Sequence, residues 1–584
     1  MIVLAAINAK YIHSNLAVYS LKAYAEQRSA GSLSKQLPKL ESTENLPEQA
    51  SRKTVQEIRI AEYTINQPVQ EIMASLYEMG ADTIAFSCYI WNIEYVCQIA
   101  RNLKRVAPDL QIWLGGPEVS YHGKEFLEQH PFVDLIMLGE GEEVFSKLVK
   151  GEAWERIPGI VYRQADQIQV QPPMELVDLN QLPFVYKDMA VFEHRIVYYE
   201  SSRGCPFRCS YCLSSIDKQV RFRSLELVKE ELQFFLDHQV PQVKFIDRTF
   251  NCNPDRAQAI WEYILNHDNG VTNFHFEISA DLLTEEQLII LKKMRKGLVQ
   301  FEIGLQTTNP QTLQAIERQM DIEKLKSNME LVHSYGNIHQ HLDLIAGLPY
   351  EGLERFRQSF DEAYEMGAEQ LQLGFLKVLK GSAMEERVQE YHLQHTDTPP
   401  YEVLSTKWLT YGELLKLKLV EEMLEVYHNS GQFRFSLIYV LKNWDSPFDF
   451  FLQLGEYYKK KGYQGRKWKR LDRYEILRTF CLEEYPEKFE ETEQLERLLL
   501  HDLYVRENLK KRPSWAKDYG EERRKQFAIY FRNAGYAGKP VHLEPWVDDD
   551  RRGYMLYDYE QTDSFAHVAN IRFVSEEEFQ MQLT

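Results

Sequence analysis

The 584-residue sequence is poor in cysteine, has no long apolar run and carries no excess of basic charge. Its seven cysteines are odd in number and sparse for the length, which excludes a disulfide framework as the source of stability. No apolar stretch approaches the ~20 residues that a membrane-spanning helix needs. The apolar start, Met1 to Ala6, is short, lacks a basic leader and runs into Asn8 and Lys10. It reads as a buried strand, not a signal peptide, and a cytoplasmic location is expected. Lys and Arg number 68 against 87 Asp and Glu, a net charge of −19. That balance argues against a surface that coats nucleic acid, although a local basic patch stays open. Biased composition is confined to Ser29–Gln56, rich in Ser, Lys, Glu, Gln and Pro, which predicts a surface insertion.

Length and periodicity then define the organisation. A chain of this size exceeds one hydrophobic core, so two to four domains are expected. Residues 1–155 alternate short apolar strands with amphipathic helices, the pattern of an α/β doubly wound, Rossmann-like parallel sheet. A hairpin at Gly159–Val170 and a linker bearing Pro172, Pro173 and Pro183 occupy 156–190. Residues 191–400 repeat the βα rhythm, with strands predicted at Ile196–Glu200, Val243–Asp247, Phe274–Ser279, Val299–Gln306, Gln340–Ala346 and Gln370–Val378. Six such units fit a partial (β/α)6 barrel, since a full eight-unit barrel takes about 250 residues. Residues 401–584 read as mainly helical, with a strand near Val568–Val574.

The most informative segment is Arg203-Gly204-Cys205-Pro206-Phe207-Arg208-Cys209-Ser210-Tyr211-Cys212, just after the first barrel strand. Thiolates are the soft ligands that iron–sulfur clusters and zinc prefer. Three thiolates on a four-iron cubane leave one iron free of protein. A zinc site completed by a distant Cys or His, or three unrelated buried cysteines, are the alternatives. The spacing, with an aromatic before the last cysteine, resembles the radical S-adenosylmethionine (SAM) superfamily. The resemblance implies a [4Fe-4S] cluster held by Cys205, Cys209 and Cys212, whose open iron chelates SAM. It implies reductive cleavage of SAM to a 5′-deoxyadenosyl radical, and a reducing partner such as flavodoxin or ferredoxin. It further implies cofactor contacts at Tyr211, at Asp247 after the second strand, at Glu277 and Ser279 on the third, and at Glu302 and Gln306 on the fourth. Asp343 and the turn to Pro349 end the fifth strand, near where the adenine is expected. An ordinary barrel hydrogen bond is the competing role for each of these polar residues.

The first domain is similar to the cobalamin-binding domain that often precedes such barrels. The matching pieces are Ser87, Leu114-Gly115-Gly116-Pro117 and Leu138-Gly139-Glu140-Gly141-Glu142, at the ends of strands three to five. The resemblance implies corrin contacts at Ser87, Gly115, Gly116, Gly139 and Gly141, because glycines at strand ends let the backbone approach a bulky ligand. The Asp-x-His-x-x-Gly motif for a lower axial histidine is missing. The chain reads Asn8-Ala9-Lys10-Tyr11-Ile12-His13 there; His13 is expected to cap or pack, with ligation of cobalt as the alternative. A Rossmann-like scaffold without corrin remains the alternative.

The N-terminal domain has only Cys88 and Cys97, too few for the second cluster of methylthiotransferases, and the tail has only Cys481. One cluster is expected. The tail resembles an uncharacterised helical extension found behind cobalamin-type radical barrels. Within it, the run from Tyr457 to Arg470 interleaves basic and aromatic residues and could stack nucleic-acid bases, although a solvated helix end is the plainer reading. The expected chemistry is cobalamin-dependent methyl transfer to an unactivated carbon of a small molecule, peptide or RNA. Cobalamin-independent rearrangement or oxidation, or a cluster-bearing sensor without turnover, are the alternatives.

Overall fold

The computed structural model describes residues 1–36, 56–165, 167–489, 492–548, 551–562 and 568–584. The N-terminal unit begins with β1 (Ile2–Asn8), α1 (Leu16–Gln36), β2 (Ile58–Thr64), α2 (Val69–Glu78), β3 (Thr83–Ser87) and α3 (Ile93–Val106). It continues through β4 (Gln111–Gly115), α4 (Pro117–Ser120), α5 (Gly123–Gln129), β5 (Leu135–Met137), α6 (Glu142–Val149), β6 (Ile160–Gln164) and β7 (Gln167–Val170). The sheet order is β2-β1-β3-β4-β5-β6-β7. The first five of these strands in chain order are parallel, and the last two pair antiparallel as the expected hairpin, which extends the same sheet. Strand β1 is buried on both faces: Val3, Ala5 and Ile7 enter one core, Ile2, Leu4 and Ala6 the other. That two-sided burial is why it is a continuous apolar run. Helix α1 continues through Gln36, into the stretch expected as an insertion; the remainder of that stretch, 37–55, lies outside the described residues.

The second unit starts with β8 (Val197–Tyr199), β9 (Ser202–Arg203), β10 (Arg221–Phe222), α7 (Leu225–Asp237), β11 (Gln242–Phe245), α8 (Pro254–Asn266) and β12 (Asn273–Ile278). It is completed by α9 (Glu285–Lys292), β13 (Val299–Gln306), α10 (Pro310–Ala315), α11 (Ile322–Tyr335), β14 (His339–Ala346), α12 (Leu353–Glu365) and β15 (Gln370–Phe375). The six major strands are all parallel in the order β8-β11-β12-β13-β14-β15. They form the expected partial barrel. Helix α11 has no counterpart in the periodicity reading. Strand alternation divides the barrel wall: Val299, Phe301, Ile303 and Leu305 of β13 pack outward into the core, while Gln300, Glu302, Gly304 and Gln306 face inward. The lumen is thus polar where a closed eight-stranded barrel packs branched apolar residues.

The C-terminal region holds a short helix α13 (Ala383–Glu386), the small strands β16 (Gln394–His395) and β17 (Val403–Ser405), and helices α14 (Tyr411–Leu424), α15 (Arg434–Leu441), α16 (Pro447–Lys460), α17 (Arg470–Glu484), α18 (Thr492–Arg506) and α19 (Gly520–Asn533). A three-stranded antiparallel sheet follows, β18 (Val541–Val547), β19 (Arg552–Thr562) and β20 (Ala569–Ser575), then α20 (Glu576–Met581). One hydrophobic cluster runs without a break from the barrel helices through Phe448, Phe480 and Leu499. No helix among the described residues is long and apolar enough to cross a membrane.

Candidate active site between the N-terminal sheet and the partial barrel

The three neighbouring cysteines lie on one loop beyond β8, closed at its base by the antiparallel pair β9–β10. Gly204, at φ 91°, lets the chain pass under residue 219; a Cβ there would sit 2.4 Å from the Gln219 carbonyl oxygen. Cys205 and Cys209 are buried and Cys212 half-buried, all as free thiols. The Cys205 amide donates to the Asp217 carbonyl at 3.3 Å and the Cys212 amide to the Cys209 carbonyl at 3.0 Å. Burial pushes the Cys205 thiol up, a cost that a bound metal removes by deprotonating its ligand. Arg318 reaches in after α10. Its Nη1 lies 3.5 Å from Cys209 Sγ and 3.4 Å from the Tyr211 hydroxyl, and its Nη2 donates to the Gly304 carbonyl. Thr249 Oγ1 stands 3.7 Å from Cys205 Sγ. Such donors around the sulfurs tune a cluster. Among the described residues no three His, Cys, Asp or Glu side chains converge on a point that would hold one metal ion. Ligands of a single zinc would all lie about 2.3 Å from a common centre.

The same loop borders a cavity of about 1000 Å³. One wall is the C-terminal edge of the first sheet: Asn8, Ser87, Gly115, Gly116, Gly139 and Gly141. The other is the open side of the barrel: Tyr198, Glu200, Arg203, Leu213, Arg248 and Glu277. Gly116, at φ 113°, places its missing Cβ 2.5 Å from the Cys88 carbonyl oxygen, so only glycine holds this strand end flat. A Cβ on Gly139 would meet nothing within 4 Å. This flat, strand-end cradle fits a large planar ligand such as a corrin, and the space is at the upper end of ordinary ligand sites. His13 lines the cavity too, its Nδ1 2.5 Å from the Tyr198 hydroxyl, and burial lowers its pKa. It joins the two units, in keeping with the packing role expected for it.

The remaining expected contacts divide. Glu277 opens onto the cavity, and burial raises its pKa to about 7. Asp247 is buried and accepts from Ser201 N at 2.8 Å, Ser201 Oγ at 2.5 Å and Ser202 Oγ at 2.8 Å. Ser279 Oγ donates to Asp281 at 2.6 Å. Glu302 pairs with Lys244 Nζ at 2.8 Å and His275 Nε2 at 3.0 Å, which together draw its carboxyl far below the usual range despite burial. His341, level with Glu302 on the next strand, pairs with Asp343 at 3.1 Å. Gln306, at φ 72°, folds its amide over Gly304. Sequence reading missed Arg318, which follows Gly304 by a whole loop and helix and carries no local signal. It also passed over Arg203, although that residue directly precedes the Gly-Cys pair.

The basic-aromatic run in the tail turns its rings inward: Tyr457 and Tyr458 are core residues, and Trp468 Nε1 donates to the Tyr463 carbonyl at 3.0 Å. Lys460 and Lys461 pair with Glu484 and Glu483 at 3.0 and 3.4 Å. Tyr463 and Trp468 pack against the same core and are partly buried.

Comparison with known families gives the class. Residues 2–149 match the B12 binding domain, residues 199–363 the radical SAM superfamily, and residues 389–542 a protein of unknown function, DUF4080. The chain thus joins an N-terminal B12-binding domain to a radical SAM domain and a DUF4080 domain, and the cofactors that go with this combination are a [4Fe-4S] cluster, SAM and cobalamin. Among particular relatives, it is 26% identical over 354 residues to the cobalamin-dependent radical SAM methyltransferase TokK of Streptomyces tokunonensis, covering 56% of this chain and 51% of that one. It is 28% identical over 336 residues to the 2-(S-pantetheinyl)-carbapenam-3-carboxylate methyltransferase of Streptantibioticus cattleyicolor, covering 51% and 47%. The chain thus spans about half the length of these curated relatives. The fold matches the solved structure of the cobalamin-dependent SAM radical enzyme OxsB with aqua-cobalamin bound, at a TM-score of 0.57 and 16% identity, over 87% of this chain and 81% of that one.

Proposed function

We propose that this cobalamin-dependent radical SAM enzyme transfers a methyl group to an unactivated carbon. The observation that carries the reading is the single cavity bounded by the corrin-type strand ends on one side and by Arg203 and Leu213 of the cysteine loop on the other. Methyl donor and hydrogen-abstracting group need the same carbon within reach, and one shared space provides that. The names of two relatives, both methyltransferases, support it. When bound, the cluster supplies the electron that cleaves SAM and cobalamin carries the methyl group. The chain's own residues hold and enclose. Cys205, Cys209 and Cys212 grip the cluster, with Arg318 and Thr249 against their sulfurs. Glu277 meets SAM or substrate at the cavity wall. The stacked pair Tyr89 and Trp91, 4.4 Å apart, flanks the strand ends. Flavodoxin or ferredoxin is the proposed electron donor, and the substrate is small enough to enter the cavity beside both cofactors.

Anaerobic reconstitution with cluster, cobalamin, SAM and dithionite tests this. Bound-corrin absorbance and release of both 5′-deoxyadenosine and S-adenosylhomocysteine are expected. Release of 5′-deoxyadenosine without any S-adenosylhomocysteine would sink methyl transfer and favour rearrangement or oxidation. Release of neither would favour a sensor.

A further inference from the structure

The cysteine loop is clamped at its base to the loop that follows β5. Arg203, one residue before Gly204, places Nη2 2.6 Å from Glu142 and 2.8 Å from Glu200, and Nη1 3.4 Å from Glu140. Its antiparallel partner Arg221 also grips Glu140 and lies 3.4 Å from Asp217. Asp217 is the residue whose carbonyl receives the Cys205 amide at 3.3 Å. Glu142 opens α6 and accepts Ser20 Oγ at 2.9 Å, so it is fixed within the N-terminal unit. Two arginines, one at each end of the cysteine loop, therefore hold the two carboxylates of Glu140-Gly141-Glu142. Glu140, Gly141, Glu142 and Arg203 all line the shared cavity. Arg203 and Glu142 are scarcely exposed, at 16% and 6% of their side chains, so solvent does not screen the pair.

From this geometry we infer that Arg203 and Arg221 couple the two cofactor sites: assembling the cluster tightens cobalamin binding, and cobalamin stabilises the cluster loop. A cluster fixes three points of the cysteine loop and hence the orientation of the β9–β10 pair at its base. That pair aims both guanidiniums. With them in place, the Glu140–Glu142 turn that walls the corrin side is already ordered when the corrin arrives, and less ordering entropy opposes binding. Linkage makes the effect reciprocal. The inference rests on the cofactor assignment above and adds to it the route by which the two sites communicate.

The test titrates hydroxocobalamin into the full-length chain, cluster-free and cluster-reconstituted, by equilibrium dialysis with corrin absorbance as the readout. In the parent, cluster loading should tighten cobalamin roughly fivefold or more. Removing Arg203 would strand buried carboxylates and threaten folding, so the working variants are Glu142→Gln and Arg221→Lys. Both should bind cobalamin with an affinity that hardly changes on cluster loading, at undiminished iron content. Glu385→Gln, which loosens a different inter-unit pair, with His122 at 3.1 Å, should keep the parental factor. Equal affinity in the two parental states overturns the inference, as does full coupling in Glu142→Gln or its loss in Glu385→Gln. A parent that takes up no corrin in either state overturns the cofactor assignment itself, a distinguishable result.

Discussion

At the scale of the residue, chemistry depends on what each side chain already touches. Cys209 has a guanidinium against its sulfur and is 5% exposed, inside a packed loop. Cys209→Ala should keep the far-UV circular dichroism of the parent while reconstituted iron falls to near zero. Unchanged iron content would refute the assignment of the cluster. Glu277 offers a pH test. Its folded pKa, near 7, stands above the 4.5 of a free Glu because burial penalises the charge. The folded state therefore binds more protons than the unfolded state between those values. Stability from this group is complete below pH 4.5 and is lost as pH rises to 7. Glu277→Gln removes that loss. Its melting temperature relative to the parent should rise between pH 5 and pH 8, by at most the equivalent of roughly 3 kcal/mol. An equal difference at both pH values would mean the carboxyl is not held in this environment. The three cysteines were legible because covalent spacing alone brings them onto one loop. Arg318 was not, because its contact with Cys209 spans more than a hundred positions.

At the scale of the element, two glycines separate the two cofactor sites experimentally. Gly204→Ala drives a Cβ into the Gln219 carbonyl and opens the β9–β10 base, so iron content after reconstitution should drop severalfold while corrin is still taken up. Gly116→Ala drives a Cβ into the backbone of Cys88 at the end of β3, so corrin uptake should fall at least tenfold while iron is retained. Iron and corrin assays on both variants check this, and the opposite pattern would exchange the two assignments. Elements read well from sequence wherever both sheet faces are buried. The α/β rhythm expected over residues 1–155 is met by β3 and by α3, whose buried Ile93, Val96, Ile99, Ala100 and Leu103 follow the helical spacing. Helix α11 was missed because its buried residues, Leu325, Asn328, Met329 and Val332, are too few and too polar to outline a stripe. The final sheet was mostly missed because β18 and β19 mix glycine, proline and acidic residues with their aromatics.

At the scale of the molecule, the C-terminal domain behaves as part of the barrel. Arg357 of α12 pairs with both carboxylate oxygens of Asp449 at 3.0 and 2.7 Å, and Phe360 packs on Phe448 and Phe451. A chain cut after Pro400 would expose this shared apolar surface. It should elute as aggregate in size-exclusion chromatography; a monomeric, cluster-competent fragment would show the tail to be dispensable. On the opposite side, Glu118 accepts from Tyr401 and from Lys380 at 3.2 Å, tying the first sheet to the barrel's end. The class of the protein and its order of domains were legible in the sequence alone, since each depends on local motif spacing and on hydrophobic period. Only the tertiary structure decided that the strand ends of the first sheet and the cysteine loop border one cavity, that the lumen is polar, that Asp247 is engaged by Ser201 and Ser202, and that two arginines join the Glu140–Glu142 turn to the cysteine loop. Those facts depend on which strand ends face each other across hundreds of residues, and neither residue type nor period encodes that.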